Sequence, residues 1–130
     1  MINRLTHSLS FQTEALVLRA ERQRLIASNI ANADTPGYVS RDFDFGKALR
    51  GATSSASHAD SLSAGRRPGR TSPELRYATP SQTNLDGNTV DMDRERAAFA
   101  DNAIKYESTL RFINGSVRTM LDAMKSHTQG

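Results

Sequence analysis

Apolar residues recur along the last third of the chain at alternating steps of four and three: Phe99, Ala103, Tyr106, Leu110, Ile113, Val117, Met120 and Met124. This is a heptad seam, the pattern of a helix that packs along its length against another. It predicts a helix from about residue 90 to about residue 126, within a last segment 89–130. Asn88 is placed to cap the first turn, and Asp91, Asp93 and Glu95 put negative charge at the positive end of the helix dipole. The first segment, 1–34, reads as a second long helix from about Ile2 to Ala33, but its apolar positions divide. At about 100° per residue, Leu5, Leu9, Leu16, Ala20, Ala27 and Ile30 fall on one side, and Phe11, Ala15, Leu18 and Leu25 nearly opposite. One partner cannot cover both. The simplest packing lays the first stripe on the carboxy-terminal seam and leaves the second for another molecule.

Between the helices the periodicity stops. In Thr35-Pro36-Gly37-Tyr38 the proline lacks an amide hydrogen and biases Thr35 away from helix, while Gly37 admits a positive φ, so the four residues suit a type II turn. Residues 35–88 read as this turn followed by an irregular, partly extended linker. From 46 to 88 the chain is rich in Gly, Ser, Thr, Ala and Pro, most of all in Ser54–Ser57 and Gly65–Arg70, and only Arg41–Phe45 and Glu74–Ala78 carry an extended signal. The fold class expected is mainly α, one domain over 1–130, with the two terminal helices packed as a coiled-coil-like hairpin.

Composition adds a physical constraint. With 130 residues, 37% apolar and 6% aromatic, there is little bulk to offset a backbone ordering entropy of about 1 to 2 kcal/mol per residue. Partners are therefore expected to supply part of the burial. The formal charge of +3 is spread as +2 over 1–33, −2 over 34–45, +3 over 46–88 and zero over 89–130. The sole basic cluster, Arg66, Arg67 and Arg70, lies among Gly, Ser and Pro without aromatics and reads as a solvated loop rather than a nucleic-acid surface. There is no cysteine, which excludes disulfides, thiolate metal sites and thiol chemistry. Met1–Leu9 has no sustained apolar run ending in a cleavage site, so a protein that leaves the cytoplasm is expected to use another export route.

Candidate chemistry is sparse. His7, His58 and His127 are scattered and form no ligand set. Asp86–Asp93 is rich in oxygen ligands, yet Gly87 directly follows the first Asp, where an EF-hand needs glycine at the sixth position. A turn leading into a capped helix fits better. No nucleophile elbow and no phosphate-cradling glycine pattern is present, so no catalytic, cofactor-binding or metal residue is assigned. Gly115 falls opposite the seam, where a second backbone could approach closely.

Two stretches resemble one family. Asn29-Ile30-Ala31-Asn32-Ala33-Asp34-Thr35-Pro36-Gly37-Tyr38 is similar to the amino-terminal signature of bacterial flagellar rod and hook proteins. Leu85–Glu95, with Asn102–Tyr106 and Leu110–Phe112, resembles the carboxy-terminal region of the proximal rod proteins of the FlgB type; the sister FlgC type is the nearest competitor, and a cytoplasmic helical-hairpin adaptor is a further alternative. The resemblance implies a structural subunit, not an enzyme, whose helices pack into a helical tube spanning the periplasm, transmitting torque and continuing the export channel. It implies as partners the FlgC-, FlgF- and FlgG-type rod proteins, the FliE-type adaptor, the MS ring or export gate, and further copies in a helical array. It also implies export by the flagellar type III apparatus without a cleaved signal peptide. Asn29, Ile30, Asn32, Thr35, Pro36, Gly37 and Tyr38 match the signature and are assigned a geometric role at the end of the first helix.

Overall fold

The computed structural model describes residues 2–59, 75–77, 85 and 87–128. Five elements follow in order: α1 (Ile2–Ala31), β1 (Arg41–Phe43), α2 (Phe45–Ala59), β2 (Leu75–Tyr77) and α3 (Met92–Thr128). Arg66, Arg67, Arg70 and Asp86 lie outside the described residues. With 30 and 37 residues, α1 and α3 are about 45 and 55 Å long at a rise of 1.5 Å per residue. They pack together as the long arms of a hairpin, as the apolar periodicity leads one to expect.

Each end of the hairpin's elements has a local cause. Asp91 Oδ1 accepts the amide of Arg94 at 3.2 Å, so Asp91 rather than Asn88 caps α3, with Asp93 and Glu95 in the first turn. Asp44 Oδ1 accepts the amide of Lys47 at 3.0 Å and starts α2 in the same way. The two faint extended signals pair: β1 and β2 are antiparallel, with Arg41 opposite Tyr77, Asp42 opposite Arg76 and Phe43 opposite Leu75.

The second helix corrects the reading of 46–88 as a linker over 46–59, while residues 60–74 and 78–84 of that stretch lie outside the described residues. The Gly and Ser residues of α2 are weak helix signals, but Phe45, Ala48 and Leu49 stand at helical spacing and reach the core. That core is Leu18, Leu25 and Phe43, with Phe45, Ala48 and Leu49 packed against it. The second stripe of α1 is thereby covered from within the chain: Ala15, Leu18 and Leu25 are buried, and only Phe11 stays exposed. No other molecule is needed for most of it.

The seam of α3 is also rotated from its apolar positions. The residues buried deepest on this helix are Glu95, Asn102 and Thr109, a polar row at steps of seven. Ala103, Tyr106, Ile113 and Met120 are half-buried beside it, whereas Phe99, Leu110, Val117 and Met124 are 40%, 38%, 41% and 63% exposed. On α1, Leu9, Leu16 and Ile30 are half-buried and Leu5 is exposed. Apolar spacing gives the period of a helix face, but the buried angle is decided by where polar groups find partners, which hydropathy does not register.

Candidate functional site

The end of α1 and the approach to α3 meet in a knot of buried amides. Asn29, at 1% exposure, treats Arg41 as a strand would: its Oδ1 accepts the Arg41 amide at 3.0 Å and its Nδ2 donates to the Arg41 carbonyl at 2.9 Å. The carboxamide is a peptide group in miniature, so a helix side chain here completes a β-type pairing. The Tyr38 hydroxyl donates to the same Oδ1 at 3.1 Å and lies 3.4 Å from Ser28 Oγ. Asn32 Nδ2 donates to the Ser28 carbonyl at 2.8 Å and its Oδ1 accepts from the Thr35 hydroxyl at 3.1 Å. The backbone amides of Asn32 and Ala33 serve the Ser28, Asn29 and Ile30 carbonyls of the last turn of α1, and the Asn32 side chain adds a second donor to the first of them.

The turn itself is closed by Tyr38 N–H to the Thr35 carbonyl at 3.2 Å, with Gly37 at φ 73° in the position where a type II turn requires it. Thr35, Pro36 and Gly37 are exposed, while Ile30, Asn32 and Tyr38 are half-buried beneath them.

A second strand of chain fastens this turn from the other side. Asn88 is fully buried, and its Nδ2 lies 2.9, 2.8 and 2.7 Å from the carbonyls of Asn32, Ala33 and Thr35. Its Oδ1 accepts the Val90 amide at 2.8 Å. The Thr89 amide donates to the Tyr38 carbonyl at 3.0 Å, and the Ser40 amide to Thr89 Oγ1 at 3.1 Å. A Cβ added to Gly87, itself at φ 78°, would stand 3.7 Å from the Gly37 Cα, so the two left-handed glycines back onto each other. The two motifs on which the resemblance rests are thus one physical object.

Charge frames the knot. Arg22 donates to Asp42 through Nε at 3.2 Å and Nη2 at 3.1 Å, a forked pair tying β1 to α1. The Arg19 guanidinium lies over the Phe45 ring, 4.4 Å from its centre. Glu95 is buried against Asn29, and burial pushes its carboxyl above the ordinary range, opposed by the hydrogen bond from Asn29. Further along, a groove of about 540 Å³ opens between α1 and α3, lined by Ala20, Gln23, Arg24 and Ala27 on one side and Ala103, Tyr106, Glu107 and Leu110 on the other. Among the described residues no group of three or more His, Cys, Asp or Glu could hold a metal ion, and no helix is long and apolar enough to cross a membrane.

Hydropathy and motif reading find the turn but miss the roles of Asn88, Asn102 and the Arg22–Asp42 pair. For Asn102 the signal in the sequence is an amide on the buried row of a helix, and nothing in the sequence marks the Arg22–Asp42 pair.

Residues 9–38, most of α1 and the whole turn, match the family described as flagella basal body rod protein. The flagellar basal body rod protein FlgB of Escherichia coli K12 is 45% identical, covering 97% of this chain and 99% of its own. The FlgB proteins of Proteus mirabilis HI4320 and of Buchnera aphidicola from Acyrthosiphon pisum are 44% and 38% identical, each over 96% of this chain. Similarity at this level, running through both arms and through the knot that joins them, places the chain in the FlgB family of flagellar basal body rod proteins.

Proposed function

We propose that this chain builds the proximal rod by offering the apolar flank of α3 and the open groove beside it to neighbouring subunits, while the amide knot fixes the angle at which the two arms are presented. As a member of the family it is a structural component of the basal body rod, and identity to FlgB proteins along nearly the whole chain disfavours both the FlgC type and a cytoplasmic adaptor. The single observation that supports the docking role is the exposed row Phe99, Leu110, Val117 and Met124, continuous along a helix and too apolar to be left in water. A tube needs contacts that do not close on themselves, so each subunit must present two unlike surfaces. The groove and the row adjoin at Leu110 and together make up one of them. Neighbours in this reading are further copies and the FlgC-, FlgF- and FlgG-type rod proteins, with the FliE-type adaptor and the MS ring or export gate at the base.

In the same reading the tube transmits torque and continues the export channel, and subunits reach it through the flagellar type III apparatus without a cleaved signal. The role is mechanical rather than enzymatic. Asn29, Asn32, Thr35 and Tyr38 spend their polar groups on one another and on the backbone, and Pro36 and Gly37 set the turn. Replacing Leu110 and Val117 together by Gln tests this. Both are solvent-facing, so the expected change in folding stability is within about 0.5 kcal/mol each, while swimming in soft agar and recovery of the chain in purified basal bodies are lost. Normal motility in the double variant would remove the docking role of this flank.

A further inference from the structure

The side of α3 that meets α1 is not the side that hydrophobicity would choose. A turn of about 100° about its own axis, the angle between successive residues, would bring Leu110 and Val117 into the seam and lift Thr109 and Glu95 out of it, with more apolar surface covered and a costly carboxyl released. Something directional opposes that turn. Asn102 is fully buried, and its Nδ2 donates to the Arg19 carbonyl at 2.8 Å and to Gln23 Oε1 at 2.7 Å, two acceptors one helical turn apart on α1. Thr109, on the same row, bonds only to the Lys105 carbonyl of its own helix at 2.8 Å and holds nothing across the interface.

The Asn102 Oδ1 is buried with no partner, so on stability alone an aliphatic residue would serve better there. The knot at Asn88 pins the chain before the helix begins and the Asn29–Glu95 hydrogen bond holds its first turn, so both lie at one end and the rest of the helix is oriented by Asn102.

We propose that Asn102 is a rotational lock: its paired bonds to Arg19 and Gln23 hold α3 with the polar row inward and keep Leu110 and Val117 outward. A buried amide that trades stability for one chosen alignment of packed helices is a known device of helical assemblies. This deepens the docking role of the apolar flank, on which only the lock's purpose depends. Its test uses the free chain and can fail while that docking role stands.

The chain has no cysteine, so single reporters can be introduced at Leu110 or at Thr109 and their rates of maleimide labelling compared. With Asn102 present, the thiol at 110 reacts freely and the thiol at 109 slowly. In N102L the expected result is an exchange of the two, with about a tenfold fall at 110 and a comparable rise at 109, and N102A shifts both in the same directions by less. Unchanged rates in both variants would overturn the lock. So would fast labelling at both positions in both variants, because Asn102 would then be holding the fold together rather than its rotation.

Discussion

Asn88 is the residue on which the junction most depends, and Asn88→Asp isolates why. The substitution keeps an oxygen for the Val90 amide but removes both N–H donors and sets a carboxylate against the carbonyls of Asn32, Ala33 and Thr35. An amide nitrogen has two hydrogens, so the three short contacts count as at most two bonds, each contributing about 1 kcal/mol net. Repulsion between the buried carboxylate and the carbonyl dipoles adds about as much again, for a total of about 4 kcal/mol. Asn88→Ala loses the same two bonds and strands the Val90 amide, which costs about 1 to 3 kcal/mol more than the bonds alone. The two variants should therefore be similarly damaged, although one of them preserves the acceptor. Urea denaturation followed by circular dichroism measures the loss, and hydrogen exchange at Thr89, whose amide is bonded to the Tyr38 carbonyl, locates it. If N88D lost less than about 1 kcal/mol while N88A lost about 3, the donors would be irrelevant and the junction would rest on the Val90 bond instead.

Three further outcomes are expected. Gly37→Val meets no neighbour within 4 Å of its Cβ, so its cost of about 1 to 2 kcal/mol is backbone strain at φ 73°; expression should persist while soft-agar motility is lost, and normal swimming would count against the turn's role. Because burial raises the Glu95 carboxyl above its ordinary value of 4.5, the folded chain binds that proton more tightly than the unfolded chain; stability on this account is greatest below pH 4.5 and declines as pH rises through the raised value. Glu95→Gln should flatten that part of the pH profile, and an unaltered slope in urea titrations at several pH values would show that another group carries it. Amide exchange in the dilute chain should be slowest around Asn29–Ser40 and Asn88–Val90 and fastest at the far ends of both arms, where residues 121–128 are exposed throughout; uniform strong protection would contradict an ordering of the arms that waits for neighbours.

Much of this fold can be read from its residues. The arms follow from apolar spacing and the turn from Thr35-Pro36-Gly37-Tyr38, because period and φ restriction are local properties. The faint extended segments around Arg41–Phe43 and Leu75–Tyr77 find each other. What the residues do not reveal is non-local. α2 forms although its composition argues for a loop, since Phe45, Ala48 and Leu49 gain a core only once Leu18, Leu25 and Phe43 have assembled. The role of Asn88 depends on carbonyls more than fifty positions away, and the buried angle of α3 on two acceptors in α1.

Bonds between Tyr38 and Thr89 and between Ser40 and Thr89 bring both flanks of the intervening chain to a single point. The first part of that chain stays on the body, with Phe43 and the α2 residues Phe45, Ala48 and Leu49 in its core, so it is length added between α2 and β2 that enters the energetics through loop closure, about 0.6 kcal/mol for each doubling. The two arms are thereby insulated from length added between α2 and β2, and this architecture can carry a short loop or a whole inserted domain there without altering how the arms meet.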